Sequence, residues 1–220
     1  MITYHEALDQ GSDEWLQQRL GMLTASEMKL IITPTLKPAK NAKEKTHLYE
    51  LLSQRISKHV EPQYVSDAML RGHEDEILAR ELYAENYAPV TEVGFVTNDK
   101  LGFPIGYSPD WLVSGDGLGE TKSRDPKYQV QTIVTNEMPL EFMLQVQTGL
   151  FVTERDWLDF TSYSAGFPMF KTRVEPIKKY QDAIASAATA FEERLQVAMS
   201  DYVNNSEGLI MTERKDVDYE

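Results

Sequence analysis

The sequence predicts an α/β (α+β) chain in which helices and strands share one domain. Three observations carry this. Residues 43–59, 66–87 and 177–199 place apolar side chains at helical spacing. Between the second and third of these, residues 90–122 alternate, or run apolar in short stretches broken by Gly, Pro and Asn-Asp, as strands and hairpins do. The 220 residues suit one core of ordinary size, with 41% hydrophobic and 26% charged side chains.

Composition removes several chemistries. There is no cysteine, hence no disulfide, thiolate zinc site, cysteine-ligated iron–sulfur cluster or cysteine nucleophile. A cysteine-free chain fits a reducing cytoplasm. No apolar run reaches the length of a membrane span, and Met1 to Glu6 lacks a signal-peptide pattern, so no membrane partner is expected. The formal net charge of −13 runs against a simple basic nucleic-acid footprint. The charge is uneven, however. Lys37, Lys40, Lys43 and Lys45 cluster, and Lys122, Arg124 and Lys127 follow one another. Local fields, not the total, steer a ligand into a cleft.

In chain order, Ser12 is a helix cap for Asp13 to Leu20, and Gly21 ends that helix. Thr24-Ala25-Ser26-Glu27 has capping-box spacing and opens a second helix to about Ile32. Arg19 and Ser26 flank this junction. A hydroxyl and a guanidinium at a helix start suit a phosphate, and a plain cap beside a surface arginine uses the same residues. Residues 33–41 read as a loop, 43–59 and 66–87 as helices, and 90–97 as one strand. Residues 101–107 and 111–122 form the central hairpin region, and 124–136 is ambiguous. Pro139 opens a helix to about Val152. Residues 156–163 and 169–174 pair as strands, and a long amphipathic helix follows Pro176. The domain is expected over 1–203, with 204–220 an acidic, flexible tail.

The chemistry concentrates at Tyr107-Ser108-Pro109-Asp110 and Glu120-Thr121-Lys122. Residues two apart in a strand share a face, so Glu120 and Lys122 project together, and a hairpin brings Asp110 beside them. Two carboxylates and an ammonium on one sheet edge can hold a hard divalent cation and position a water. A surface hairpin with paired charges has the same sequence. Competing sites are poorer. The four histidines, His5, His47, His59 and His73, lack metal-ligand spacing, and no serine stands in a nucleophile elbow. The glycines between Gly102 and Gly106 make no phosphate-binding fingerprint.

Five blocks in order carry a resemblance: Trp15 through Glu27, Gly72-His73-Glu74-Asp75-Glu76, Ser108-Pro109-Asp110, Glu120-Thr121-Lys122 and Gln145-Val146-Gln147. The central segment resembles the PD-(D/E)xK nuclease superfamily. The whole chain is similar to the lambda-exonuclease family of phage recombination nucleases, the YqaJ-like viral recombinases. The resemblance implies a restriction-endonuclease-like core, a central mixed β-sheet flanked by helices. It implies a Mg²⁺-dependent exonuclease that degrades one strand of linear double-stranded DNA from its 5′ end. Two ions are implied, with Mn²⁺ able to substitute. Asp110 would bridge them, Glu120 and the Thr121 carbonyl would complete one, and Glu76 would hold the other. Lys122 would orient the attacking water, and Gln145 would help fix it. Arg19, Ser26 and Ser108 would receive the terminal 5′-phosphate.

The same resemblance implies a ring-shaped homotrimer, a single-strand annealing protein as partner and work in a bacterial host cytoplasm. The Lys37–Lys45 and Lys171–Lys179 stretches are candidate DNA-track surfaces. Two departures stand out. Gly149 occupies the place, four residues after Gln145, where many relatives hold a tyrosine, so Gln147 is a fallback for the glutamine role. The segment from Lys122 to Pro139 is short for the family, which bears on strand handling. Two other readings share the fold: a DNA-end-binding or annealing-protein-recruiting module without strong catalysis, and an endonuclease of the same superfamily.

Overall fold

The computed structural model describes residues 1–61 and 66–214. The chain opens with β1 (Ile2–His5), α1 (Asp13–Arg19) and β2 (Leu23–Thr24). A 3₁₀ turn over Ala25–Glu27 then leads into the single turn of α2 (Met28–Ile31). Two longer helices follow, α3 (Ala42–Ser57) and α4 (Asp67–Asn86). Next come β3 (Val90–Thr91), β4 (Phe95–Asn98), β5 (Ile105–Tyr107), β6 (Trp111–Val113) and β7 (Gly117–Ser123). Helix α5 (Pro126–Thr135) and, after a 3₁₀ turn over Leu140–Phe142, α6 (Met143–Thr153) cross to β8 (Trp157–Tyr163) and β9 (Phe170–Val174). Helix α7 (Lys178–Ser206) ends the ordered elements.

Local chemistry sets the helix starts. The Ser12, Asn41 and Ser66 side chains accept from the backbone N–H three residues on, at 3.2, 3.1 and 3.3 Å. Pro126 occupies the first turn of α5, where its missing N–H costs nothing. The capping box expected at Thr24 does not form. Its hydroxyl instead donates to the Glu27 carboxylate at 2.7 Å.

The strands form two mixed sheets. One has the order β1-β4-β5-β2, with only β2–β5 parallel. The other has the order β3-β6-β7-β8-β9, with only β7–β8 parallel. Parallel neighbours need a crossover, and the ambiguous stretch after Arg124 supplies part of it as α5. The expected mixed sheet flanked by helices is therefore the second sheet. The first packs across α6 and carries Tyr107 towards the site. The strand expected over 90–97 is two strands in different sheets, β3 and β4. The break falls at Gly94, where a Cβ would lie 1.9 Å from the Leu8 carbonyl oxygen.

Helix α6 runs through the middle of the fold, with every residue from Val146 to Thr153 buried. Helices α3 and α7 close one side. Two buried carboxylates lock them: Glu192 accepts from Arg55 at 2.7 and 2.8 Å, and Glu44 accepts from Arg194 at 3.1 and 2.7 Å. Helix α4 buries Asp75, Ala79 and Tyr83, one residue per turn, and leaves Leu70, Ile77, Leu78 and Leu82 exposed. Its small, polar face meets the sheet, so its apolar count misstates which side is inside. Helix α7 continues to Ser206, past the point where the acidic tail was expected to begin, and the last part of that tail, 215–220, lies outside the described residues. No helix among the described residues is long and apolar enough to cross a membrane.

Candidate active site

The β6–β7 hairpin sets the geometry. Trp111 pairs with Gly119, so Asp110, one residue earlier, reaches the middle of β7. Its Oδ2 accepts the Thr121 N–H at 2.5 Å. Gly119 has to be glycine, because a Cβ there would lie 1.9 Å from the Trp111 indole nitrogen. On β7, Glu120 and Lys122 share a face as expected. Lys122 Nζ donates to Glu120 Oε1 at 2.5 Å. Gln145, in the first turn of α6, donates to the same oxygen at 2.5 Å. The second oxygen, Oε2, accepts from the Tyr107 hydroxyl at 2.7 Å.

This is not a surface hairpin. Glu120 is 1% exposed, and its carboxylate is held by three donors, one of them an ammonium. Gln145 reaches the Glu120 carboxylate. Gln147 does not; it is fully buried on the far side of α6, bonded to the Glu175 carbonyl and the Ile177 N–H. Of the two glutamines only Gln145, at the helix start, faces β7.

The carboxylates crowd one another. Burial first, then the charges of Glu120 and Glu76, holds the Asp110 carboxyl well above the usual carboxylate range. Burial and then Glu120 raise Glu76 on α4 as well. Lys122 moves the other way from what its burial alone would give. Glu120 and Asp110 outweigh the desolvation and keep it an ammonium. Tyr107 is pushed up by burial, then by Glu120 and Asp110, and stays a neutral phenol that donates.

A hard divalent cation suits this donor set in kind, being all oxygen, acidic and short of positive charge. Asp110, Glu120 and the Thr121 carbonyl stand together on the hairpin. Glu76 approaches from α4, close enough to raise the Asp110 carboxyl. Among the described residues, however, no three acidic or histidine side chains are gathered into a ready ligand group. Asp110 and Glu120 settle on protein donors instead.

The second constellation is the junction around Arg19. Its guanidinium stacks 4.1 Å over the Trp15 ring. Nη1 lies 3.4 Å from Ser108 Oγ and Nη2 lies 3.4 Å from Thr24 Oγ1. Ser26 Oγ is 3.3 Å from Thr24 Oγ1, and the Trp15 indole N–H donates to Ser108 Oγ at 2.9 Å. Arg19, Ser26 and Ser108 are thus brought together, as the sequence predicted. The helix that follows Ser26 is only a turn or two long, so the side chains rather than a helix dipole define the pocket. Burial lowers the Arg19 pKa, and neighbouring Glu27 opposes this. Ser108 is two residues from Asp110, which places the Arg19 cluster and the carboxylates on one segment.

Several residues here carry no role in the sequence reading. Tyr107 is one; its only signal was its place at the end of the apolar run before Asp110. Thr24, read from the sequence only as a helix cap, is another, and it links Arg19, Ser26 and Glu27. Asp75, which accepts from Ser123 beside Lys122, is a third. The candidate track lysines are partly engaged elsewhere. Lys171 bonds the buried Asp159 at 3.2 Å, and Lys178 pairs with Asp182 at 2.7 Å. Lys40 and Lys45 line a groove that also carries Glu44, Glu193 and Asp201.

The chain is similar to two solved exonucleases and matches one family model. The alkaline exonuclease from Laribacter hongkongensis is 32% identical, with a TM-score of 0.80, and the match covers 90% of this chain and 100% of that one. The same enzyme has also been solved in complex with dAMP, with the same match. A phage-related exonuclease from Haemophilus somnus 129PT shares the fold, with a TM-score of 0.57 at 14% identity, over 82% of this chain and 96% of that one. No curated protein matches the chain in sequence. The family model for the YqaJ-like viral recombinase domain matches residues 14–156, a stretch that holds the Arg19 pocket, the β6–β7 hairpin and Gln145, and the chain belongs to that family.

Proposed function

We propose that this protein is a divalent-metal-dependent exonuclease that removes nucleotides from the 5′ end of one strand of linear duplex DNA. Its task is then phage-type homologous recombination by single-strand annealing. The observation that carries the reading is the double engagement of Glu120 Oε1 by Lys122 and Gln145, with Asp110 anchored on Thr121 beside it. The relative named an alkaline exonuclease supports it, and dAMP, found with that relative, is the kind of mononucleotide such a reaction releases.

Asp110, Glu120, the Thr121 carbonyl and Glu76 would hold Mg²⁺, as two ions, with Mn²⁺ able to replace it. Bound there, such ions supply charge neutralisation at the scissile phosphate and acidify water. The chain's own groups do the rest. Lys122 is an ammonium pinned on the Glu120 carboxylate, so it can donate to an attacking water and to the phosphate oxygens without being displaced. Gln145 fixes the same carboxylate and leaves a carbonyl oxygen to accept from that water. Arg19, Ser26 and Ser108 receive the 5′-phosphate, which sets the scissile bond one nucleotide away from the end.

One observation favours a second reading, a DNA-end-binding module with weak catalysis: no three carboxylates are gathered as ligands among the described residues. A digestion series separates the two. Linear and nicked-circular duplexes are incubated with Mg²⁺ and with excess EDTA. The exonuclease shortens the linear duplex only, and only with Mg²⁺. Retention of linear DNA without shortening supports the binding module, and cutting of the nicked circles into linear pieces supports an endonuclease. The net charge of −13 gives weak general attraction to DNA, so a closed homotrimer around the duplex is our proposed means of staying on it. A single-strand annealing protein is the proposed partner that takes up the exposed strand.

A further inference from the structure

We infer that Tyr107 is a positioning residue for hydrolysis, holding the Glu120 carboxylate in one orientation, and that Gly149 is glycine in order to admit it. The inference rests on the nuclease reading above and goes beyond it, because Tyr107 comes from the first sheet and not from the hairpin that carries the charged residues.

Tyr107 ends β5 and is 1% exposed. Its ring lies flat against α6 at Gly149. A Cβ on that glycine would lie 2.7 Å from the ring's Cζ and 2.8 Å from Cε1, closer than real Cβ atoms approach. Gly149 has ordinary helical geometry, so its lack of a side chain serves the ring and not the backbone. A glycine inside a helix costs about 1 kcal/mol relative to alanine. That cost is offset if the ring has to be there.

The ring delivers one group to the site, a hydroxyl 2.7 Å from Glu120 Oε2. Lys122 and Gln145 both bind Oε1. With Oε1 alone held, the carboxylate could pivot about that oxygen. The phenol holds the other oxygen and fixes the plane. It also satisfies a buried acceptor that receives no other hydrogen bond among the described residues. Helix α6 therefore acts twice on Glu120, directly through Gln145 and indirectly through the ring seated on Gly149, and it joins both sheets at this carboxylate.

The test uses Tyr107→Phe, which keeps the ring and the packing and removes only the hydroxyl. Four quantities are measured on the full chain: kcat and KM on 5′-phosphorylated linear duplex, Mn²⁺ affinity by the paramagnetic resonance of free Mn²⁺, and the thermal midpoint in EDTA. The inference expects kcat to fall ten- to a hundredfold with KM for the end within twofold. Mn²⁺ should bind at least threefold more weakly, because a freed carboxylate is a poorer ligand. Gly149→Ala, which pushes the ring while leaving the hydroxyl, should lower kcat in the same way, and the double variant should fall no further than the worse single one. Wild-type kcat and Mn²⁺ affinity in Tyr107→Phe overturn the inference, and so does a double variant whose losses multiply. If Gly149→Ala does not fold, Tyr107→Phe alone decides. Failure of the wild-type protein itself to bind Mn²⁺ or to shorten any duplex overturns the nuclease reading instead, and is seen before any variant is made.

Discussion

Replacing Arg19 by lysine keeps the positive charge and removes what the structure uses it for. The guanidinium is stacked 4.1 Å over Trp15 and 5.5 Å from the centre of Phe95, with two of its nitrogens each 3.4 Å from a hydroxyl. That stack presents a flat fork to whatever anion enters beside Ser108 and Ser26. A lysine is a point charge on a flexible stem and makes neither the stack nor the fork. A charge-assisted hydrogen bond contributes about 1.5–3 kcal/mol. Losing one of two such bonds, with the charge kept, therefore costs about 2 kcal/mol, or about thirtyfold. The assay compares kcat/KM on 3′-labelled linear duplex bearing either a 5′-phosphate or a 5′-hydroxyl. The wild-type protein should prefer the phosphate. Arg19→Lys should shrink that preference about thirtyfold by slowing the phosphorylated substrate, and leave the rate on the 5′-hydroxyl duplex nearly unchanged. Arg19→Ala should remove the preference altogether. A preference unchanged in both variants would refute the reasoning, and Arg19 would then be a residue that packs Trp15 and nothing more.

Two further predictions concern buried carboxylates on and beside the second sheet. Asp110 and Glu76 have raised pKa values, so the folded protein holds their protons more tightly than the unfolded chain does. That contribution is complete below the ordinary carboxylate value of about 4 and is lost as pH rises through the raised values. In EDTA the wild-type midpoint should therefore fall as pH rises towards about 8, and Asp110→Asn should flatten the curve and raise the midpoint there by about 2–4 °C, worth about 1 kcal/mol in a chain of this size. A lower midpoint for Asp110→Asn at that pH would contradict the crowding. Asp159 behaves oppositely: burial opposes its ionisation, but the bonds from Arg173, Tyr83 and Lys171 outweigh it and hold the pKa down. Its stabilisation is present above about pH 4 and lost as pH falls. Asp159→Asn leaves Lys171 and Arg173 without their carboxylate, and because both are partly exposed the cost is about 2–3 kcal/mol rather than the full penalty of a broken buried pair. Thermal unfolding at neutral pH should show a drop of roughly 5–10 °C, and an unchanged midpoint would mean that the cluster is solvated in practice.

Glu120 and Lys122 were legible because a strand's period of two fixes which side chains share a face, and Asp110 because a hairpin returns it beside them; whether the hairpin was buried was not. The Arg19 pocket was legible from its block but not its construction. Thr24 had the spacing of a capping box, and only the tertiary neighbours Arg19 and Glu27 turn its hydroxyl to another use. The second sheet's partner was not legible, because the break between β3 and β4 depends on Leu8, a residue more than eighty positions away, pressing on Gly94. Helix α4 misled by composition. Its leucines and isoleucine are outside, and a tyrosine, an alanine and an aspartate are inside, because the sheet face beneath carries Trp111, Ser123 and Asp159 and selects small or hydrogen-bonding partners. Gly149 was visible as a departure from relatives, and its reason became visible only with the Tyr107 ring in place. Gln145 and Gln147 could not be told apart by spacing alone, since both are polar residues on a helix whose other neighbours are buried.

In the proposed reaction Lys122 and Glu120 work as one unit beside Asp110 in cutting a phosphodiester bond at a DNA end. Lys122→Met tests it most directly, since methionine fills the same space against Phe142 and carries no charge. Single-turnover digestion of a 5′-phosphorylated linear duplex with Mg²⁺ is compared with binding of the same duplex in Ca²⁺. The account predicts that cleavage falls at least about a thousandfold, the scale of removing a preorganised donor from developing charge, while affinity for the end changes less than about threefold. Cleavage within about tenfold of wild type would contradict it, and would place the hydrolytic machinery somewhere other than this hairpin.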